Sequence, residues 1–404
     1  MLSPNDTIPP RIRIADAPRA TLTGTKAARR RRTGRPTWRR VAAIASGLVL
    51  LPALISYISY ITSPSNSSVG VNTVEWLRDN GARAIVNQIE NWYYSLNAPA
   101  KGGPALKSLP TQAGALGSRL AAGAAGLRVH YYRPPAISPV IQPALPGEGV
   151  WRPTFAGGGP NPPVLITRFR PQAAYPQLVA GVAWINQTRT STWLYPGIQE
   201  PSVSLPSRGP EEVPPGARGN LVATFNSGFK LADSGGGFAV GGHTYAPLKD
   251  GLGTVVRYAD GHVDVISWAG GSSVPPNIVY ARQNLPLIVN NGLPNPNLSN
   301  GPEWGATLGN AIQVWRSAVG VDKNGNLLYA AANDQTVGSL AEIMLRAGAV
   351  RAMELDINTY WVSLITYRHP GAIGAANLLP DMDRTNQRYL SPDDRDFFAV
   401  YVKH

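Results

Sequence analysis

The stretch from Val41 to Ile61 contains no charged side chain, and it constrains the fold of this chain more than any other feature of the sequence. At about 1.5 Å per helical residue, the segment would be about 31 Å long, which matches the hydrocarbon thickness of a bilayer. Trp38 before it and Tyr57 and Tyr60 near its end are aromatic residues of the kind found at membrane interfaces. Residues 41–61 therefore predict one transmembrane helix.

Basic residues are concentrated before this segment. Residues 1–40 contain eleven Lys and Arg and two acidic residues, whereas the first basic residue after the segment is Arg78. The positive-inside rule then predicts a cytoplasmic tail at 1–40, a signal anchor at 41–61 and an extracytoplasmic main domain in a single-pass cell-membrane protein. A cleaved signal peptide and a twin-arginine signal at Arg39 and Arg40 are the alternatives; no small-x-small cleavage pattern follows the apolar run.

The composition excludes several classes of protein. The net charge is +13, but residues 1–40 account for +9 (eleven minus two), so the remaining +4 predicts no nucleic-acid partner. The absence of Cys excludes disulfides and thiolate metal sites, and the five His are too far apart to form a local metal-ligand pair. We therefore predict no cofactor and no metal ligands, with calcium or magnesium as the only metal candidates.

Residues 62–150 predict a stalk between the membrane and a folded domain. Within it, the segment 72–96 has apolar residues at mainly three- and four-residue spacing, which indicates an amphipathic helix. These residues are Val74, Leu77, Ile85, Ile89, Trp92 and Leu96. Residues 97–127 are rich in Ala, Gly and Pro and are typical of a linker.

From residue 151 to residue 404 the pattern changes to short β-rich runs, beginning with strands predicted at 164–169, 178–185 and 221–225. Two hairpins are predicted, one around Ala259-Asp260-Gly261 and one around Asn324-Gly325. The second leads into a helix, for which Ser339 and Glu342 have capping-box spacing and Gly348 is a suitable stop. A strand at 350–355 follows. This order predicts an α+β domain with a mixed, mostly antiparallel sheet and few helices.

Acidic side chains follow the end of this last strand. Period-two alternation places Glu354 and Asp356 on one face, with Cα atoms about 6.6 to 7 Å apart, within the range of a glycosidase carboxylate pair. The simpler interpretation is that Glu354 lies on a solvated face of the strand or forms an ion pair. Asp334 follows the second hairpin, where it is either a carboxylate at a strand end or a turn residue.

Two further segments contain candidate ligand-binding residues. Asn226 and Gly228 directly follow an apolar strand, where Gly228 permits a tight turn and Asn226 bonds either a ligand or its own backbone. Arg316 lies on a predicted strand, where its guanidinium could clamp a phosphate; a carboxylate-paired or surface Arg is the alternative.

Taken in order, these segments resemble the phosphodiester glycosidase family over roughly residues 164–400. The segment 226–230 is similar to the family's N-G-G-F-F, the segment 316–320 to its R-x-A-x-G, and Asp334 to the Asp of its D-G. Residues 338–356 are similar to its G-x-T-x-x-E helix, which leads to N-L-D-G-G-G-S.

This chain departs from the family pattern at several positions. Ser227 and Lys230 replace a Gly and a Phe, Gln335 replaces a Gly, and Glu354 takes the place of an Asn. Residues 357–359, Ile-Asn-Thr, replace the glycine run after Asp356. Glycines there would permit close backbone approach, which β-branched residues do not.

The resemblance implies a hydrolase that cleaves the glycosidic bond of a sugar-1-phosphodiester, and the predicted location suggests a cell-surface glycan or its precursor as substrate. Arg316 would stabilise the departing phosphate with assistance from Lys230, and Asp356 or Glu354 would activate water. Asp334 is the third catalytic candidate. Two alternatives remain: a catalytically inactive domain of the same fold that binds envelope glycan or phosphate polymer, and a structural protein that assembles through the helix at 72–96.

Overall fold

A computed structural model describes residues 37–111, 131–154, 159–305, 313–369 and 371–403. It divides the chain into two compact units, one ending at Ser56 and one starting at Tyr57. Helix α1 (Trp38–Thr62) begins in the first unit and ends in the second. Its most apolar window has a mean hydropathy of 2.2, and among the described residues it is the one helix long and apolar enough to cross a membrane. The predicted span 41–61 lies within it, and most of the basic tail lies outside the described residues.

Two further helices form a hairpin after α1. Helix α2 (Val69–Leu77) begins at Ser68, whose hydroxyl accepts a hydrogen bond from the backbone N–H of Val71, and helix α3 spans Arg83–Leu96. Between them, a short turn at Arg78–Ala82 contains Gly81 with a φ of 91°, which interrupts the helical backbone. The segment predicted as one helix at 72–96 is therefore two helices.

The described part of the second unit contains eighteen strands. In chain order they are β1 (Arg152–Pro153), β2 (Val164–Phe169), β3 (Ala180–Ile185), β4 (Thr190–Tyr195), β5 (Leu221–Asn226), β6 (Phe238–Val240), β7 (His243–Ala246), β8 (Gly253–Tyr258), β9 (Val263–Ser267), β10 (Ile278–Gln283), β11 (Leu287–Asn290), β12 (Leu293–Pro294), β13 (Val314–Asp322), β14 (Leu327–Gln335), β15 (Ala349–Glu354), β16 (Leu364–His369), β17 (Ile373–Asn377) and β18 (Phe397–Val402). The helices among them are α4 (Leu231–Ser234) and α5 (Val337–Arg346), with 3₁₀ turns at Pro215–Asn220, Gly301–Trp304 and Arg388–Leu390.

The strands form three sheets. An eight-stranded sheet has the order β1-β2-β3-β14-β13-β15-β11-β12, and two five-stranded sheets have the orders β7-β6-β10-β8-β9 and β17-β16-β5-β18-β4. The paired strands are antiparallel throughout the described residues. Both predicted hairpins are present, as β8–β9 and β13–β14. The predicted fold class, mostly antiparallel sheets with few helices, is thus confirmed.

Helix α5 packs on the eight-stranded sheet through Leu340, Ile343 and Met344, which are buried among alanines and valines of the central strands. Its N-terminal cap differs from the predicted one. Thr336 and Ser339 bond reciprocally, so the capping box begins three residues before the predicted Ser339–Glu342 pair. Gly348 has a φ of 93° and follows the helix end, as predicted.

The segment between α1 and α2, predicted as part of a stalk, contacts the loop that leads into β18. The Ser65 hydroxyl donates to Asp394 Oδ2 at 2.7 Å, and the Asn66 amide donates to Asp393 Oδ2 at 2.9 Å. These two acids lie four and three residues before the start of β18 at Phe397. Residues 57–404 form a single compact unit, in which the α2–α3 hairpin is attached by ion pairs of Arg83 with Asp233 and of Glu75 with Lys230.

Candidate active site

Asp356 lies just beyond the end of β15, and its backbone is held by two other elements. Its N–H donates to the carbonyl of Ser227 at 3.2 Å, and its own carbonyl accepts from the Ser317 hydroxyl at 2.8 Å. One carboxylate oxygen accepts the backbone N–H of Asn358 at 3.0 Å. These bonds fix a buried carboxylate at the wall of a cavity.

The cavity has a volume of about 140 Å³ and lies between the sheet ends and the α2–α3 hairpin. Charged side chains of both signs line it. The lining residues are Glu75, Arg78, Arg83, Glu90, Tyr94, Phe229, Lys230, Asp233, Leu285, Glu303, Gly305, Asp356, Ile357, Asn358, Trp361 and Arg395. Of the residues predicted for the site, this set includes Lys230 and Asp356.

Four cationic side chains line this cavity with Asp356, and two of them, Arg395 and Lys230, belong to the sheet-containing part of the domain. The guanidinium of Arg395 lies 4.6 Å from the centre of the Trp361 ring, and its Nη2 is 3.5 Å from Glu75 Oε2. Its Nη1 is buried and has no hydrogen-bond partner within the described part of the chain. Lys230 Nζ forms ion pairs with Glu75 and, at 3.2 Å, with Asp79. The cavity therefore presents an Arg and a Lys to an anion.

The electrostatics of Asp356 favour proton uptake. Burial raises the pKa of its carboxyl, and the charge of Arg395 and the N–H of Asn358 only partly oppose that effect. A carboxylate of increased basicity beside a cavity is suited to take a proton from a bound water.

The pKa of Glu75, on helix α2, shifts in the opposite direction from that of Asp356. Burial alone would raise its pKa, but the charges of Arg395 and Lys230 lower it from 4.5 to about 2. Its side chain is 5% exposed. Glu75 is thus an ionised carboxylate held between the two cations, in the position that an anionic ligand would take.

Arg316 and Glu354, both predicted for the site, form a buried ion pair behind the cavity. The Arg316 guanidinium bonds Glu354 and also donates to the carbonyls of Gln335 at 3.0 Å and Trp304 at 3.2 Å. Glu354 is fully buried, and burial raises its pKa to about 7, against the opposing charge of Arg316. The arrangement matches the ion-pair alternative considered for Glu354.

Asn226 is also fully engaged within the protein. Its side-chain oxygen accepts from the Tyr329 hydroxyl at 2.8 Å and the Ser363 N–H at 3.0 Å. Its amide donates to the Ser227 carbonyl at 2.9 Å and to Ser317 Oγ at 3.1 Å. Ser227 and Ser317 are the two residues that bond the Asp356 backbone, so Asn226 supports the position of Asp356 indirectly.

Gly228 provides close packing beside the cavity. A Cβ at this position would lie 3.0 Å from Asn284 Cγ, so a side chain would displace Asn284. Phe229 and Lys230, which follow, both line the cavity. The glycine therefore allows Asn284 to pack closely against the segment that carries Lys230.

Asp334 lies at the end of β14 with a φ of 54°, outside the set of cavity-lining residues. Burial, together with the nearby charge of Asp381, raises its pKa to about 6. It lies within the last residues of β14, where the pairing with β13 shifts register, and its catalytic role stays a prediction. Within the described residues, no group of three or more acidic or His side chains is arranged to hold a metal ion.

Sequence reasoning did not identify Arg395 or Glu75. Arg395 belongs to the run Asp393-Asp394-Arg395-Asp396, which directly precedes the apolar strand β18. This cluster of charges beside an apolar strand could have indicated a functional site at that strand end. Glu75 gave no comparable signal, because a Glu within an amphipathic helix is usually on its solvated face.

Comparison with known proteins adds a family match. Residues 219–356 match the sequence model of the phosphodiester glycosidase family. No curated protein matches the chain. Two solved structures are similar over part of it: the catalytic domain of zebrafish N-acetylglucosamine-1-phosphodiester alpha-N-acetylglucosaminidase, auto-inhibited by its pro-peptide, and a hypothetical protein from Synechocystis.

The zebrafish domain is 14% identical with a TM-score of 0.41, and the alignment covers 60% of this chain and 85% of that one. The Synechocystis protein is 12% identical with a TM-score of 0.38 over 60% of this chain, and the chain spans only 63% of its length. The family match includes Asn226, Arg316, Asp334 and Asp356 and leaves Glu75 and Arg395 outside. The predicted resemblance is confirmed by the family model at residues 219–356, which is a shorter stretch than the predicted 164–400.

Proposed function

We propose that this chain is a membrane-anchored extracytoplasmic hydrolase that cleaves the glycosidic bond of a sugar-1-phosphodiester in a cell-envelope glycan or its precursor. The observation that carries the proposal is the position of Asp356, which shares one cavity with Arg395 and Lys230. A carboxylate beside two phosphate-binding cations is the set of groups that this reaction requires. The family match at 219–356 supports the same reaction class.

In the proposed reaction, a water molecule attacks the anomeric carbon and Asp356 takes its proton. The bond from that carbon to the phosphodiester oxygen breaks, and its electron pair stays on the oxygen. The products are a free sugar and a phosphomonoester. Because the second pKa of a phosphomonoester is about 6, the leaving group needs little help from a general acid.

Arg395 and Lys230 take the role that the family resemblance assigns to Arg316. Arg316 is committed to Glu354 and two carbonyls, whereas Arg395 Nη1 lacks a hydrogen-bond partner within the described residues. A guanidinium that lines the cavity and has an unpaired donor is suited to hold the departing phosphate. Arg316 and Glu354 then act as the support behind the site.

The membrane location rests on α1 and on the basic residues before it. The helix is 25 residues long, and seven of the arginines lie between residues 29 and 40. A helix of that length and hydropathy can span a bilayer, and the arginines favour a cytoplasmic N-terminus. The main domain would then meet cell-envelope substrates.

The second candidate function is binding of an envelope glycan or phosphate polymer without catalysis. Two observations favour it. Glu75 already pairs with both cations, and Ile357 lines the cavity where the family has glycine. In this alternative the cavity would bind the phosphodiester without positioning a water for attack.

A turnover assay on the full-length protein in nanodiscs distinguishes the two functions. A panel of sugar-1-phosphodiesters is incubated with wild type, Asp356→Asn and the control Asp250→Asn, an exposed carboxylate that also accepts a backbone N–H. Loss of a general base should lower kcat by about 10²- to 10⁴-fold in Asp356→Asn only. If no member of the panel is hydrolysed while binding persists, the hydrolase proposal is wrong and the binding function replaces it.

A further inference from the structure

Helix α3 exposes an apolar stripe. Its members and their exposed fractions are Ile85 (65%), Ile89 (62%), Trp92 (71%), Tyr93 (61%) and Leu96 (78%). At 3.6 residues per turn, these five side chains lie within an arc of about 100° on the helix surface. A continuous apolar face of this width on an exposed helix indicates an interaction surface.

The opposite face of α3 is attached to the domain, which fixes the direction of the stripe. Arg83 forms an ion pair with Asp233 at 2.5 Å, and the hydroxyls of Tyr94 and Thr359 are 3.3 Å apart. Arg83 and Tyr94 also line the cavity. One side of α3 therefore belongs to the candidate active site, and the other side holds the stripe.

The end of the apolar helix α1 adjoins this hairpin. The ring of Tyr57, in the last turns of α1, packs edge-on against Trp76 of α2 with centroids 5.2 Å apart. The Tyr57 and Thr73 hydroxyls are 2.9 Å apart. Helix α2 leads through one turn into α3, so α3 starts close to the point where the chain would leave a bilayer.

The composition of the stripe fits the membrane interface. Trp92 and Tyr93 are the residue types enriched at the headgroup level, and the neighbouring Ile and Leu side chains suit the acyl boundary. The stripe contains no charged residue. We propose that the α3 stripe lies in the interfacial layer of the outer leaflet, with α3 acting as an amphipathic membrane-surface helix.

This inference rests on the membrane anchoring proposed above. It places the candidate active site about one helix diameter, about 10 Å, from the lipid surface. A glycosyl phosphate linked to a lipid has its headgroup at that level. Lipid-linked phosphodiesters would then reach the cavity more readily than soluble ones.

The absence of Cys allows a direct test, because each introduced Cys is the only one in the chain. Full-length Ile89→Cys, Lys323→Cys and Leu51→Cys variants are labelled with an environment-sensitive fluorophore and placed in nanodiscs, one copy per disc. Ile89 is in the stripe, Lys323 is an exposed residue at the tip of the β13–β14 hairpin, and Leu51 is within α1. Quenching of the labels at 89 and 323 is measured with lipids that carry a headgroup-level nitroxide, and quenching of the label at 51 with lipids that carry the nitroxide near the end of an acyl chain.

We expect the label at 89 to be quenched at least about threefold more than the label at 323. Equal quenching at 89 and 323, with strong quenching at 51, would overturn the α3 inference and leave the anchor intact. Weak quenching at 51 would overturn both the α3 inference and the proposed membrane anchor. If the fluorescence of the label at 89 reports an apolar environment only when several copies share a liposome, the stripe binds a second copy. The membrane-surface inference is then wrong.

Discussion

Replacing Glu75 with Gln tests whether the α2–α3 hairpin is held over the cavity by charge. Glu75 pairs with Lys230, with Arg395 at 3.5 Å, and with Arg78 of the hairpin itself at 3.2 Å. Its pKa falls from 4.5 to about 2 in the folded protein. At 1.36 kcal/mol per pKa unit, this shift corresponds to about 3 kcal/mol of stabilisation at pH 7.

The direction of the pH dependence of stability follows from the lowered pKa of Glu75. The stabilisation is fully present above the unfolded pKa of about 4.5 and is lost as the pH falls through about 2. Near pH 3, about half of it remains. Glu75→Gln removes the charge at every pH, so the variant and wild type should differ most at neutral pH and converge below pH 2.

Hydrogen exchange of the α2 amides measures this difference in the full-length protein. If hairpin opening exposes Glu75, exchange in α2 should be about 100-fold faster in Glu75→Gln than in wild type at pH 7, and about tenfold faster at pH 3. The control is Glu342→Gln, which breaks an exposed pair with Arg346 and should change exchange in α5 by about twofold or less. Equal α2 exchange in Glu75→Gln and wild type at pH 7 would refute the reasoning.

Three further predictions concern individual side chains. Arg316→Met should lower the free energy of unfolding by about 3 to 5 kcal/mol, because it leaves Glu354 buried without its partner; adding Glu354→Gln should restore part of the loss in a double-mutant cycle. Asp334→Asn should raise the melting temperature relative to wild type above pH 6 and not below pH 4, because stability linked to a raised pKa is lost as the pH rises through about 6. Lys230→Met should raise KM for an active phosphodiester by about tenfold and should also speed exchange of the α2 amides, because Glu75 loses a partner; an unchanged KM would remove Lys230 from the proposed phosphate site.

Local features of the fold were predictable from the sequence. The two hairpins follow from Asp260-Gly261 and Asn324-Gly325, because these dipeptides adopt the turn conformations that hairpins require. The break between α2 and α3 was present as a signal in Asn80-Gly81, but the apolar spacing on both sides of it predicted a continuous helix. Periodicity detects an amphipathic face and does not show what covers that face. The exposure of the α3 stripe therefore became visible only in the structure.

The candidate site was predictable in part. Asp356 and Lys230 lie within the family match, and motif order placed them near one site. Arg395 and Glu75 reach the cavity from the last strand and from the N-terminal helices, and only long-range packing brings them there. Arg316 looked like a phosphate ligand because the sequence cannot show that Glu354 would neutralise it. A buried ion pair and a ligand-binding Arg have the same local sequence pattern.

The bond that breaks is the most direct test of the proposed reaction. The full-length protein in nanodiscs is incubated with an active sugar-1-phosphodiester in ¹⁸O-labelled water, and the products are analysed by mass spectrometry and ³¹P NMR. Attack at the anomeric carbon, with Asp356 as the base, places the label in the sugar and none in the phosphomonoester. Label in the phosphate would show cleavage of the phosphorus–oxygen bond, and it would contradict the assignment of this chain as a glycosidase.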